Sequence, residues 1–200
     1  AAGLPTRDNA KTFIYAYLYG AGDAKIGSIV APEASEEEQA AIGKRLKAAF
    51  LAKTPALKKL KEAIHRLVSP VLFVKDGKYS RKVENPNYRP FLMGLDKRKL
   101  HVRSAHAALN TLLQSAGALI AKLATILAYE ELIRRDHVWG KDFALVAHVH
   151  DEMQFEVRKG LEEEVGQVVV EAMREAGRQF DFRCPIDGEA KSGGSWFETH

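Results

Sequence analysis

An α+β fold, a helical subdomain followed by part of an antiparallel sheet with packed helices, is predicted by three features of this 200-residue sequence. The first 70 residues hold helix-length segments with recognisable start and stop signals. Residues 71–103 switch to short β-rich runs broken by Asp76-Gly77 and by Asp96. A long Ala/Leu-rich helix, a strand pair and another helix then follow, so helices come first and mixed structure after.

Each element has its own signal. "LPTRDNAKTFIYAYLYGAG" (4–22) opens on Pro-Thr and is stopped by Gly20 and Gly22. "EASEEEQAAIGKRLKAAFLAKT" (33–54) reads as an amphipathic helix, with Ser35 as N-cap and glutamates in the first turn. Pro55 starts a helix that ends near Ser69-Pro70, and "VLFVKDGKYSRKV" and "FLMGLDKRKLHVR" each read as a pair of short strands. The long helix runs from Ser104 to about Arg135. "FALVAHV", a turn at His150-Asp151 and "EMQFEV" form a hairpin at 143–157. A helix from Leu161 to about Gln179 follows, and "RCPIDGEAK" is expected as a last short strand. The expected domains are 1–105 and 106–200, with no repeat or low-complexity linker.

Composition narrows the function classes only mildly. A hydrophobic fraction of 46% supports a real core. With 30 basic and 26 acidic residues the net charge of +4 permits nucleic-acid binding without arguing for it. One cysteine, Cys184, excludes an internal disulfide framework and a cysteine-based zinc site, which fits a reducing cytoplasm. No unbroken apolar run reaches the roughly 18–20 residues of a membrane span, and no signal peptide is recognised, so no membrane partner is expected. The chain opens without methionine, which suits either processing or a fragment boundary.

Three constellations carry chemistry. Arg7, Lys11, Tyr15 and Tyr19 are spaced by four, and each such step overshoots a helical turn by about 40°, giving a slowly winding stripe. Two cations then two aromatics can grip a polyphosphate at one end and stack on a base at the other. The plainer reading is surface cations beside aromatics that pack into the core, a task Phe13 and Tyr17 could perform instead. Arg103, His106, Asn110 and Gln114 fall at helical spacing, with Leu109, Leu112, Leu113 and Ala116 opposite. Their amides suit base edges in a minor groove, and equally an ordinary solvated face. At the hairpin tip, Asp151 and Glu152 start on opposite faces unless the turn redirects them. Carboxylates there suit Mg²⁺, which takes few protein oxygens plus phosphates and water, although a turn Asp with an exposed Glu is common. His148 and His150 lack a third His or Cys nearby, which argues against zinc. A His-Asp metal phosphohydrolase would need further ligands in helical context.

Taken together, these stretches resemble family A DNA polymerases of the T7-like phage type. "RDNAKTFIYAYLYG" resembles motif B, the fingers helix that handles the incoming nucleotide, and "VHDE" resembles motif C. "HVRSAHAALNTLLQSAGA" is similar to the segment between them, and the likeness extends to the C-terminal His200. The resemblance implies a fingers subdomain over 1–105 and the C-terminal part of a palm over 106–200. It implies that Arg7 and Lys11 hold the triphosphate and that Tyr15 packs on the base and sugar. Tyr rather than Phe at that position is the form associated with accepting dideoxynucleotides. Tyr19 and Gly20 would guard the templating position, Asn110, Gln114 and Arg103 would touch the DNA, and His150 would place the primer terminus. Asp151 would ligate metal with Glu152 nearby, as catalytic groups alongside Lys11. The implied cofactor is two Mg²⁺ ions, and the implied partners are primer-template DNA and dNTPs in the infected host cytoplasm.

The resemblance also exposes a gap. The family bridges its two metals with one aspartate from motif C and one from motif A, of the form Asp-x-Ser-x-x-Glu-x-Arg, which lies before motif B. No such stretch occurs here, and motif B begins at residue 7. The expectation is therefore inactivity alone and a larger partner carrying motif A, the thumb and, it could be, an exonuclease. That partner would be the other part of a naturally split enzyme or of one longer chain. A processivity factor and a replicative helicase are further candidate partners. An incomplete palm should expose an apolar surface to that partner. The alternative is a non-catalytic fragment or subunit that grips DNA through "KRKLHVR" (97–103) and Lys58, Lys59 and Lys61.

Overall fold

The structure, a computed structural model, describes residues 4–77 and 79–199; His200 lies outside them. The fold is α+β, and the chain divides into two compact units, residues 1–113 and 114–200.

The first unit begins with helix α1 (Arg7–Leu18), capped by the Thr6 hydroxyl accepting from the Asn9 backbone N–H. Phe13 and Tyr17 of α1 are buried with Ile26, Leu46 and Phe50. Both rings meet Phe50 edge-on at 5.3 Å. Burying each such side chain contributes roughly 1.5–3 kcal/mol. The short helix α2 (Asp23–Gly27) lies against α3 (Glu36–Lys53) at backbone contact. A Cβ on Gly27 would fall 1.8 Å from the Gln39 carbonyl oxygen, and one on Gly43 would fall 1.9 Å from that of Asp23, so only glycine fits at either position. Ser35 and Glu38 form a reciprocal capping box at the start of α3. Lys47 pairs with Asp23 at 2.7 Å and donates to the Ala21 carbonyl, fixing the link between α1 and α2.

Helix α4 (Pro55–Val68) supplies Ile64 and Val68 to a second cluster. Strands β1 (Val71–Asp76) and β2 (Tyr79–Glu84) pair antiparallel, as do β3 (Phe91–Met93) and β4 (Lys99–His101). Leu92 of β3 and Val102, just past β4, pack with Ile64, Val68, Ala108 and Leu109. The buried Asn85 ties the β1–β2 hairpin to the end of α4 by donating to the carbonyls of Arg66 and Ser69.

A single 3₁₀ turn (Ala105–Ala107) leads into α5 (Ala108–Arg134). In the second unit, Ile120 and Ala124 of this helix pack against Ala176, and Ala128 and Leu132 pack with Phe143, Val165, Val168 and Ala172. Strands β5 (Phe143–Val149) and β6 (Glu152–Val157) form an antiparallel hairpin, and the face of β6 carrying Met153, Phe155 and Val157 packs on both α5 and α6 (Glu162–Gln179). Pairing runs Leu145 to Phe155 and then Ala147 to Gln154, leaving Val146 as a bulged residue. Asp142, at the entrance to β5, is buried; it accepts from the Val138 N–H at 2.8 Å and pairs with Arg158 at 2.7 Å.

Two expectations need correcting. "RCPIDGEAK" is not a strand: residues 183–191 have no regular structure, and Pro185 removes a ladder donor there. The segment is held instead by side chains, with Ile186 in the α6 cluster and Asp187 paired to Arg174 at 2.9 Å. Secondly, the helical run 105–134 is long and apolar enough by length and composition to cross a membrane, an 18-residue window within it having a mean hydropathy of 1.5. Asn110, Gln114, Ser115, Lys122 and Thr125 interrupt the apolar run, so no unbroken stretch of that length exists although the helix as a whole is apolar. Core helices meet the same criterion; in this one 22% of the apolar window is buried inside the protein, with Ala124, Ala128 and Leu132 fully so.

Candidate functional site

The α1 stripe forms as its spacing requires. Burial of Phe13 and Tyr17 fixes the rotation of α1, and Arg7, Lys11, Tyr15 and Tyr19 are left exposed along the other side. The rings of Tyr15 and Tyr19 stack at 6.3 Å with planes 19° apart. The packing alternative fails for these two residues, which are 50% and 51% exposed. One end of α1 is therefore cationic and the other is a flat aromatic surface, an arrangement suited to a ligand with a polyphosphate and a ring.

Beyond Tyr19 the chain turns through Gly20, at φ 79°. A Cβ there would meet the His106 carbonyl oxygen at 2.9 Å, so Gly20 must be glycine for both reasons. This contact brings the end of the stripe against the 3₁₀ turn before α5. Asn110 and Gln114 follow one turn apart on α5. Arg103 and His106 do not share that helical face. Arg103 lies in a bend after β4, where the Val102 N–H is held by the Pro90 carbonyl, and Ser104 is still extended at φ −160°. His106 sits in the 3₁₀ turn, 3.2 Å from the Ser104 hydroxyl. Leu113 likewise keeps 43% exposure instead of packing with Leu109.

The carboxylates stand at the β5–β6 turn. Val149 pairs with Glu152, leaving His150 and Asp151 as the two-residue connection, with His150 left-handed at φ 55°. Asp151 is exposed at the tip. Glu152 is the first residue of β6, and Gln154, two residues on and so on the same face, donates to it. Met153 points the other way, into the α5–α6 cluster, where its sulfur accepts from the Thr125 hydroxyl. Among the described residues no three His, Cys, Asp or Glu side chains gather as a metal site. An exposed Asp carboxylate on a turn nevertheless fits one ligand's share of a Mg²⁺ sphere, since that ion prefers a few hard oxygens and keeps several waters.

A cationic-aromatic helix face, an amide pair one helical turn apart and an Asp-Glu turn thus occur in this order along one α+β chain. The family model for DNA polymerase family A matches residues 4–198. This chain belongs to DNA polymerase family A. The chain is 49% identical to the DNA-directed DNA polymerase of Escherichia phage T7 and 48% identical to that of Enterobacteria phage T3, with all of this chain and 27% of each relative covered. The DNA-directed DNA polymerase of Escherichia phage Phieco32 is 36% identical, with 29% of its length covered. The chain thus spans about a quarter of the length of the curated relatives it matches. The POL domain of Pol1 from M. smegmatis, solved with primer-template DNA and dNTP, superposes with a TM-score of 0.58 at 22% identity. That match covers 96% of this chain and 31% of the other, and at this identity it shows the shared fold alone.

For this family A chain, one cation named with the DNA-gripping segments is placed otherwise. Lys58 and Lys59 are exposed, but Lys61 lies with its Nζ 4.4 Å from the centre of the Tyr17 ring. Burial, and then the charge of Lys47, lower its pKa. Its charge is directed at the core aromatic, a cation–π contact that sequence spacing could not reveal. Sequence reasoning also missed Trp196, in the short helix α7 (Trp196–Thr199), whose indole N–H donates to Glu152 Oε1 at 3.2 Å. No local pattern signals a partner 44 residues away.

Proposed function

We propose that these residues are the fingers (1–105) and the C-terminal part of the palm (106–200) of a DNA-directed DNA polymerase that adds dNTPs to a primer 3′-hydroxyl in the infected host cell. The observation that carries this reading is the exposed stripe of Arg7, Lys11, Tyr15 and Tyr19 on a helix whose opposite side is buried. Pure DNA binding does not require a polyphosphate grip joined to a stacking surface.

In this reading Arg7 and Lys11 hold the triphosphate, and Lys11 offsets charge as the leaving pyrophosphate develops it. Tyr15 stacks on the base and sugar, while Tyr19 and Gly20 close off the templating position. Asn110 and Gln114 contact minor-groove acceptors common to all base pairs, Arg103 contacts the DNA backbone, and His150 positions the primer terminus. Asp151 is the metal ligand, with Glu152 beside it. Two Mg²⁺ ions, when bound, lower the pKa of the primer hydroxyl and neutralise the phosphates. A further metal-ligating aspartate would come from a complementary part of the polymerase, in the same or another chain, together with the thumb.

Primer extension with Mg²⁺ and dNTPs tests the proposal, with this chain alone and then mixed with a complementary polymerase part carrying motif A. Extension in the mixture alone is the expected result. Extension by the chain alone would mean that a complete metal site lies within these residues. DNA binding without extension in either sample would favour a non-catalytic DNA-gripping fragment.

A further inference from the structure

Glu152 is fixed from two sides. Gln154 approaches along its own strand face, and the Trp196 indole N–H reaches the same oxygen, Oε1, from α7 at 3.2 Å. The helix that presents Trp196 is itself braced, the Gly194 N–H donating to Glu198 at 2.7 Å and the Thr199 hydroxyl to the Trp196 carbonyl at 2.9 Å. Trp196 remains 49% exposed, so shelter from water does not account for its placement. Its one polar atom is directed at the carboxylate next to Asp151. Both of these donors are neutral groups whose N–H bonds orient the carboxylate oxygen.

We infer that Trp196 is a positioning residue for nucleotide addition: it holds the Glu152 side chain in place beside Asp151 through the Nε1–H to Oε1 hydrogen bond. This rests on the polymerase reading above. The C-terminal segment thereby becomes part of the support of the catalytic turn, which explains why a half-exposed indole is used where a smaller polar side chain would reach less far.

The test uses the full polymerase containing these residues. Trp196→Phe keeps an aromatic ring and removes only the donor. Its expected effect is a fall in single-turnover incorporation rate of about tenfold, the worth of one hydrogen bond to a charged group. The Mg²⁺ concentration for half-maximal rate should rise, while primer-template affinity stays within about twofold and the melting temperature is unchanged. In a Glu152→Ala background the same substitution should have almost no further effect, because the group it acts through is gone. An equal loss in both backgrounds, or a wild-type rate for Trp196→Phe, overturns the inference. Asp151→Asn, measured in parallel, separates the two levels: if it abolishes addition while Trp196→Phe does not matter, the positioning role alone falls. If Asp151→Asn remains active, the reading of the turn as the metal site falls first.

Discussion

The α1 stripe and the β5–β6 turn are built on opposite plans. On α1, a helical repeat separates Phe13 and Tyr17, which are buried, from Arg7, Lys11, Tyr15 and Tyr19, which are not. Arg7, Lys11 and Tyr15 are placed by their own helix, with Tyr19 following at its C-cap. At the turn, the tip residues have little local support: His150 adopts a left-handed conformation, Asp151 is exposed, and Glu152 is oriented by Gln154 and by Trp196 from the far end of the chain. An exposed face can therefore come from one element's periodicity, whereas side chains at a turn are oriented by partners gathered from elsewhere.

That comparison can be broken at several points. In the complete polymerase, Asp151→Asn should reduce turnover by about a thousandfold or more while sparing primer-template affinity, because the proposal makes Asp151 a metal ligand and no DNA anchor. Rapid-quench kinetics beside a DNA-binding titration would detect it, and equal loss of both would end the metal assignment. On the stripe, Lys11→Ala should cost about a hundredfold in kcat/KM for dNTP. If the stripe only stabilises the helix, the melting temperature would shift instead.

A smaller effect is expected at the stacking surface. Tyr15→Phe keeps the ring and should leave dNTP addition nearly intact while lowering dideoxynucleotide use by about tenfold or more, as loss of one polar contact does. Competition between the two nucleotides in a primer-extension ladder reads this directly.

Stability should divide along the same line. The Val138 N–H, and then Arg158, hold the Asp142 carboxyl below the usual carboxylate range, against burial, which pushes it up. A depressed folded pKa gives stability that is present above the unfolded value of about 4 and lost as pH falls through the folded value. Asp142→Asn should therefore lower the melting temperature at pH 7 and flatten its decline under acid, as calorimetry between neutral and acid pH would show. The smallest effect is expected in the basic segments: Lys61→Met should leave DNA affinity within about twofold. Lys58→Ala with Lys59→Ala should weaken binding and make the salt dependence shallower by up to about two phosphate contacts.

Much of the fold was legible because its signals are local. Ser35 with Glu38 declares a helix start, Pro55 declares another, and the residues around Asp76-Gly77 and His150-Asp151 declare hairpins, all as found. Local reasoning failed where a global partner decides. "RCPIDGEAK" is rich in residues that strands avoid (Pro185, Asp187, Gly188, Glu189, Lys191), and a strand exists only where another strand pairs with it. Arg103 matches the periodicity of α5 but precedes the helix, because β4 and Val102 hold the chain extended up to that point.

By itself, then, the sequence determined the order of elements, the cationic-aromatic stripe and the Asp-Glu turn, since each depends on spacings of one to four residues that backbone geometry converts directly into faces and tips. Only the tertiary structure decided that Lys61 points at Tyr17 rather than at solvent, that Gly20 lies against the His106 carbonyl, and that Trp196 holds Glu152. Those three contacts join residues 44, 86 and 44 positions apart in sequence. Over such distances chain periodicity carries no information, and packing of the cores alone selects the partner.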